Sequence, residues 1–446
     1  MIKLSEYNTK IFLTLCVIFL LNFSTVNAQS PIIQTKFTAD PAPMVHNDTI
    51  FLYTSHDEDD AKGFKMLDWL LYTSTDMVNW TDHGVVASLK NFTWAKQDNG
   101  AWAVQCIERN GKFYLYCPMH GGGIGVLVSD SPYGPFKDPI GKKLINSDHV
   151  WQDIDPTPFI DDDGQAYLYW GNPDLYYVKL NEDMISYSGE IVIEPTKPKN
   201  YQEGPWVWKK NNHYYLSYAS TCCPEGIGYA MSNSPLGPWE YKGMIIDASK
   251  RSNGNHPGII DYKGKSYCFG FGYDLLKQET MVHSERRSVD VDRMIYNEDG
   301  TIQNYTYFTK DGPEQIETLN PFRRVEAETI AWSKGVKTDK SKEAGVYVTQ
   351  IHNGDYIQVR GVDFAKGAKK MDVIAASLNA GTVEIHLDKL DGAVIGTVKI
   401  ENTGGLQNWK TFKTKVTKVN GVHDLFFVFK GGQGELFNFD AWKFSK

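Results

Sequence analysis

The chain is poor in cysteine and has no cluster of basic charge, and both shortages narrow what it can be. Six cysteines occur in 446 residues. Cys16 lies in an N-terminal apolar run, leaving Cys106, Cys117, Cys222, Cys223 and Cys268 at irregular spacing. An odd number so spaced is not a disulfide framework, and no Cys-x-x-Cys supplies a zinc ligand pair. The adjacent Cys222 and Cys223 are expected as two packed thiols rather than a bridge. With a formal net charge of −8 and no basic block, nucleic acid and anionic membranes are disfavoured as partners. Beyond the N-terminus no apolar run is long enough for a membrane helix. Helical periodicity is nearly absent. His120-Gly121-Gly122-Gly123 lacks the Lys-Ser/Thr of a phosphate loop and is expected near a pocket rim.

The N-terminus itself carries Lys3, Lys10, an apolar stretch from Ile11 to Phe23, and a small residue at Ala28. That order predicts a secretory signal peptide over residues 1–28, hence a secreted or periplasmic protein. Aromatic residues make up 13% of the chain, which suits β structure and offers flat apolar faces.

A repeat organises the first 300 residues: a loop residue, an apolar strand, a Gly/Asn/Asp turn, then an aromatic strand. It begins at Asp40, Trp102, Asp155, Glu203 and His256, with turns at Asn47-Asp48, Asn110-Gly111, Asp163-Gly164, Asn211-Asn212 and Lys263-Gly264. Successive starts lie 62, 53, 48 and 53 residues apart. Later portions echo too: Ser129-Asp130-Ser131-Pro132-Tyr133-Gly134-Pro135-Phe136 returns as Ser232-Asn233-Ser234-Pro235-Leu236-Gly237-Pro238-Trp239. Hairpin signals at this period predict propeller blades of four short strands each, five in number. The five starting residues then occupy equivalent places and form a ring at one end of the propeller axis. Three of them are carboxylic acids, and burying several carboxylates is costly unless they have a task. Two carboxyl groups across a glycosidic bond suffice for its hydrolysis, and a third can raise a neighbour's pKa.

Thr38-Ala39-Asp40-Pro41, Asp153-Ile154-Asp155-Pro156-Thr157-Pro158-Phe159 and Glu203-Gly204-Pro205-Trp206 resemble glycoside hydrolase family 43. The resemblance implies Asp40 as general base, Asp155 as pKa modulator and Glu203 as general acid of an inverting hydrolase. It also implies substrate contacts at Trp102, His256 and Arg287, with a metal or ordered water near His256. Trp102 matches although Val104 stands where the family has Pro. Asp57-Glu58-Asp59-Asp60 is expected as a charged loop on the active-site side, and Asp161-Asp162-Asp163-Gly164 as a solvated turn.

The blade pattern, over residues 29–310, ends before Gly312-Pro313 and Asn320-Pro321, which read as a linker over 311–322. Residues 323–446 show short alternating strands such as Leu425-Phe426-Phe427-Val428-Phe429, a β-sandwich or jelly roll. Glu326 and Glu328 share one strand face, where hard carboxylates suit Ca²⁺. Val325-Glu326-Ala327-Glu328, Asn353-Gly354-Asp355-Tyr356, Thr403-Gly404-Gly405 and Asn438-Phe439-Asp440 resemble carbohydrate-binding module family 6. That implies structural calcium at Glu326, Glu328 and Asp440, and sugar contacts at Tyr347 and Asn438. Leu406 stands where the family has a stacking Trp.

The expectation is thus an all-β chain, a five-bladed β-propeller followed by a β-sandwich. It acts as a monomer on plant cell-wall polysaccharide, removing α-L-arabinofuranosyl or β-D-xylosyl residues from xylan or arabinoxylan. The alternatives are arabinan or galactan as substrate, or a propeller that binds glycan without cleaving it.

Overall fold

The computed structural model describes residues 29–146, 152–249 and 255–446; the expected signal peptide lies outside them. The chain is all-β, and Asp274–Glu279 is the only α-helix among the described residues. Up to Met294 it forms five consecutive antiparallel sheets. Their first strands are Phe37–His46, Gln105–Arg109, Thr157–Ile160, Tyr201–Lys210 and Gly258–Tyr262. Each of these touches the first strand of the sheet before and after it, and the fifth touches the first. The ring is closed by the N-terminal segment: Ile32 N–H donates to the Val289 carbonyl (2.9 Å) and Thr38 N–H to the Arg287 carbonyl (3.0 Å).

Turn chemistry accounts for the hairpins. Asn47 and Asp48 have φ of 47° and 55°, and Asn211 and Asn212 have 50° and 64°. Two successive left-handed residues are what a tight hairpin with the native strand twist requires, and Asn and Asp tolerate them best. The aromatic second strands supply the packing between sheets: Tyr53, Tyr116, Tyr169, Tyr215 and Tyr267 are each 0% exposed. Burying a side chain of this size contributes roughly 1.5–3 kcal/mol.

The expected four strands per unit hold in the first, third and fourth sheets. The second and fifth have three. In the second, the outer segment makes only single bridges, Val128 to Lys137 and Ile124 to Ile145. Pro132, Pro135 and Pro139 lie in that stretch, and each lacks the N–H a ladder needs.

Residues beyond 330 form two facing sheets, one ordered Lys337–Ser341, Gly345–Thr349, Asn438–Ser445, Ala368–Ser377, Gly405–Val419, the other Trp332–Lys334, Tyr356–Asp363, Val422–Gly431, Gly381–Leu387, Val394–Ile400. The sandwich core includes Val359, Met371, Phe427, Phe439 and Trp442. The expected linker is hydrogen-bonded on both sides: Ile316 N–H donates to the Asp76 carbonyl and Leu319 N–H to the Gly361 carbonyl. Thr329–Ile330 pairs with Trp80 and Thr81, extending the first sheet. Lys36 and Thr338 both donate to the buried Asp82 carboxylate, at 3.1 and 2.6 Å.

Candidate active site

The start of each inner strand lies at one end of the ring, and there the side chains meet. Asp40, Trp102, Asp155, Glu203, His256 and Arg287 line one cavity of about 190 Å³, with Phe64, Met66, Ala103, Ile154 and Asn172 completing its wall. Local backbone aims the acids. Asp40 and Asp155 have φ of 50° and 59°, a left-handed conformation that Asp adopts more readily than most residues. Each precedes a proline, and Asp40 falls within a register shift between Ala39 and Ala42.

Glu203 does not occupy the place expected from the repeat. Ala39 pairs with Ser55 and Ala42 with Tyr53, while Glu203 pairs with Ala219 and Trp206 with Ser217. Glu203 therefore corresponds to Ala39, and Gly204 corresponds to Asp40. Two facts explain the offset. Gly204 has φ of 59°, and a Cβ there would meet the His256 ring at 2.9 Å. The acid thus comes from one position earlier, on a side chain one methylene longer than Asp.

His256 stands at the centre. Its Nδ1 lies 3.4 Å from Asp40 Oδ1, and its Nε2 lies 3.1 Å from Glu203 Oε1 and 3.7 Å from Asp155 Oδ2. Burial alone would lower its pKa, but Asp155, Asp40 and Glu203 outweigh burial and raise it to about 10. The three carboxyl groups around it thus favour the imidazolium form of the ring. Arg287 supplies a second cation. Its Nη1 donates to Asp40 Oδ1 (3.0 Å), and its Nε and Nη2 grip both oxygens of Asp57 (2.9 and 2.8 Å). Asp57 is fully buried, a correction to its reading as part of a charged loop; Glu58, Asp59 and Asp60 remain on that loop.

The electrostatics separate the acids. Burial pushes the Asp40 carboxyl up, but Arg287, His256 and a 2.6 Å hydrogen bond from Ser55 hold it below its ordinary value. Asp155 goes the other way: burial, with Glu203 and Asp40 beside it, raises its pKa to about 8 against the pull of His256. Its Oδ2 accepts from the Gly204 N–H at 3.1 Å. Asn172 donates to Glu203 Oε2 and itself accepts from Gln202 (3.1 Å). The two aspartates are thus driven in opposite directions, a pattern found where acid–base chemistry is done.

Trp102 lies in the wall with one face stacked on His120, ring centres 4.0 Å apart and planes 17° apart. The His-Gly-Gly-Gly turn thus backs the pocket. The indole N–H of Trp102 is buried and has no partner among the described residues. Phe64, Met66 and Asn172 escaped the sequence reading because they sit on loops outside the repeat. In the sandwich, Tyr347 is 4% and Asn438 2% exposed. Gln407 donates to the Tyr347 hydroxyl (2.8 Å), Asn438 donates to the Leu406 carbonyl (2.8 Å), and Thr349 donates to Asn438 Oδ1 (2.7 Å). The polar atoms of both residues are thus engaged inside the fold. Cys222 and Cys223 form a disulfide on an exposed turn, against the expectation of packed thiols; the turn leaves them at the surface, away from the core that covers the three free cysteines.

Comparison with known proteins agrees with this geometry. The chain is 36% identical to an arabinoxylan arabinofuranohydrolase of Bacillus subtilis, over 94% of this chain and 93% of that one. It is 34% identical to an arabinoxylan arabinofuranohydrolase of Paenibacillus polymyxa, over 93% and 74%. The crystal structure of a glycoside hydrolase family 43 arabinoxylan arabinofuranohydrolase from Bacillus subtilis, in complex with cellotetraose, superposes with a TM-score of 0.85 at 33% identity, covering 95% and 98% of the two chains. Residues 326–446 match the carbohydrate binding module of family 6. Residues 28–302 match the glycosyl hydrolases of family 43, and the chain belongs to that family.

Proposed function

We propose that this chain is a secreted, inverting exo-hydrolase that removes α-L-arabinofuranosyl residues from arabinoxylan, on a five-bladed β-propeller. The observation that carries the reading is the convergence of Asp40, Asp155 and Glu203 in one small cavity under His256 and Arg287. At about 190 Å³ it falls below the roughly 300–1,000 Å³ of sites for larger ligands. That suits a single sugar ring taken from a chain end or branch. The five sheets with first strands in cyclic contact support the propeller.

In this mechanism Glu203 gives its proton to the leaving glycosidic oxygen. Asp40 takes a proton from water as the water's oxygen attacks the anomeric carbon from the opposite face. The C–O bond to the leaving group breaks, and the sugar departs with inverted configuration. Asp40 and Glu203 meet opposite nitrogens of the same imidazole, which supports a spacing with room for water between acid and base. Asp155 accepts from the Gly204 amide and so fixes the backbone next to Glu203. Trp102 contributes its ring to the wall against which the sugar is held. Relatives covering nearly the whole chain favour arabinofuranose over the second reading, β-D-xylose. That second reading is supported by a Bacteroides ovatus xylosidase/arabinosidase, 30% identical over 60% of this chain. A glycan-binding propeller without catalysis is disfavoured by the intact set of three acids. The test is the sugar released from arabinoxylan: arabinose without xylose is expected, and xylose alone would favour the second reading.

Calcium in the sandwich is part of the proposal. Glu328 Oε2 and Asp440 Oδ1 are buried carboxylate oxygens with no hydrogen-bond partner among the described residues, while Arg324 bridges Glu326 and Asp440 from the outer side. Orphaned carboxylate oxygens fit a hard cation. Glu326, Glu328 and Asp440 would hold it, and its contribution would be to folding. Chelation should lower the melting temperature and leave kcat at the propeller unchanged; equal loss of both would place the metal elsewhere. Near His256, one ligand atom each from Asp155, Glu203 and His256 lies within 4.8 Å of the others, a grouping that could also gather a metal ion.

A further inference from the structure

The turn Thr221 to Glu225 carries a disulfide whose place in the chain rules out its usual purpose. A disulfide stabilises mainly by closing a loop in the unfolded chain. Cys222 and Cys223 are adjacent in sequence, so their bond closes no loop. Both are exposed, whereas Cys106, Cys117 and Cys268 are buried thiols.

Its location is specific. Tyr201 pairs with Ser220 and Glu203 with Ala219, and Thr221 N–H donates to the Asn200 carbonyl at 2.9 Å. The turn therefore lies at the active-site end of the fourth sheet, beside Glu203. Glu225, 3% exposed, anchors its far side by accepting from the Asn255 N–H (3.1 Å). Asn255 leads into His256, which contacts Glu203. The two sulfur atoms and a Glu225 carboxylate oxygen all lie within 4.8 Å of one another. The bridged pair thus sits on the rim next to the residue read as general acid.

We propose that the Cys222–Cys223 disulfide is a contact surface for the aglycone, the neutral pyranose of the polysaccharide backbone on the leaving-group side. This rests on Glu203 being the general acid. An acid protonates the leaving oxygen, so the rim beside it is where the leaving group extends. The cavity takes one sugar, and the remaining chain must cross that rim. Two bonded sulfurs form a polarizable surface without a donor, suited to the C–H face of a pyranose ring.

The test uses the full chain with Cys222→Ser and Cys223→Ser together. The ratio of kcat/KM on an arabinosylated xylo-oligosaccharide to that on 4-nitrophenyl α-L-arabinofuranoside should fall roughly three- to tenfold, through KM. An unchanged ratio would overturn the proposal. A second measurement does not depend on the variant folding. Unbranched xylotetraose should slow reduction of the wild-type disulfide by a phosphine, and no protection would also overturn the proposal. If the wild type cleaved neither substrate, the reading of Glu203 would fail, and that result is distinct from either outcome here.

Discussion

Replacing Glu203 with Gln should lower kcat on arabinoxylan by about 10²–10⁴-fold without unfolding the protein. Gln nearly matches Glu in size, and the Gly204 and Asn172 backbone around it is unaltered. What it lacks is a proton for the departing sugar oxygen. The loss should depend on the leaving group. Oxygen in a xylan linkage needs protonation, whereas a dinitrophenolate does not. The variant should therefore retain far more activity on a dinitrophenyl arabinoside than on arabinoxylan. A uniform loss on both would assign Glu203 to binding or structure instead.

Replacing Arg287 with Met should cost both stability and turnover. Arg287 is 4% exposed and is gripped by Asp57, itself fully buried, and by Asp40. Removing one partner of a buried ion pair leaves uncompensated charge, typically about 3–5 kcal/mol. A drop in the melting temperature of the catalytic domain would report it. The kinetic effect has a definite sign. Arg287 is the foremost of the groups that hold Asp40 below its ordinary pKa, so without it the base keeps its proton to higher pH. The acid limb of the kcat/KM profile should move upward. Adding Asp57→Asn should recover part of the stability, since it removes one stranded charge, but not the pH shift. If the single variant kept its acid limb, Arg287 would be a structural cation only.

Much of the catalytic half could be read from the chain, because the repeat and the chemistry coincide. The turns at Asn47-Asp48 and Asn211-Asn212 have the backbone their residues favour, and the Asp-Pro and Gly-Pro steps lie within a few residues of the inner strands' first residues. The one-residue offset of Glu203 was hidden. Only the pairing of Glu203 with Ala219, and the room Gly204 leaves for His256, reveal it. Asn172 and Phe64 arise from connections that do not repeat, so no periodic signal marks them. Burial was least legible. Asp57 reads as one of four acids in a row, yet Arg287 from the fifth sheet draws it inside. Tyr347 reads as a sugar-stacking aromatic, yet Trp409 packs against it at 5.2 Å between ring centres and Gln407 satisfies its hydroxyl. The state of Cys222 and Cys223 depends on a turn conformation that two adjacent letters do not specify.

In the proposed mechanism Asp40 activates water rather than attacking the sugar. The most direct measurement is proton NMR of the arabinose first released from an α-linked arabinosyl substrate, recorded before mutarotation. A single displacement should release the β-anomer first. Initial appearance of the α-anomer would mean two displacements through a covalent intermediate, and would contradict the roles assigned to these carboxylates.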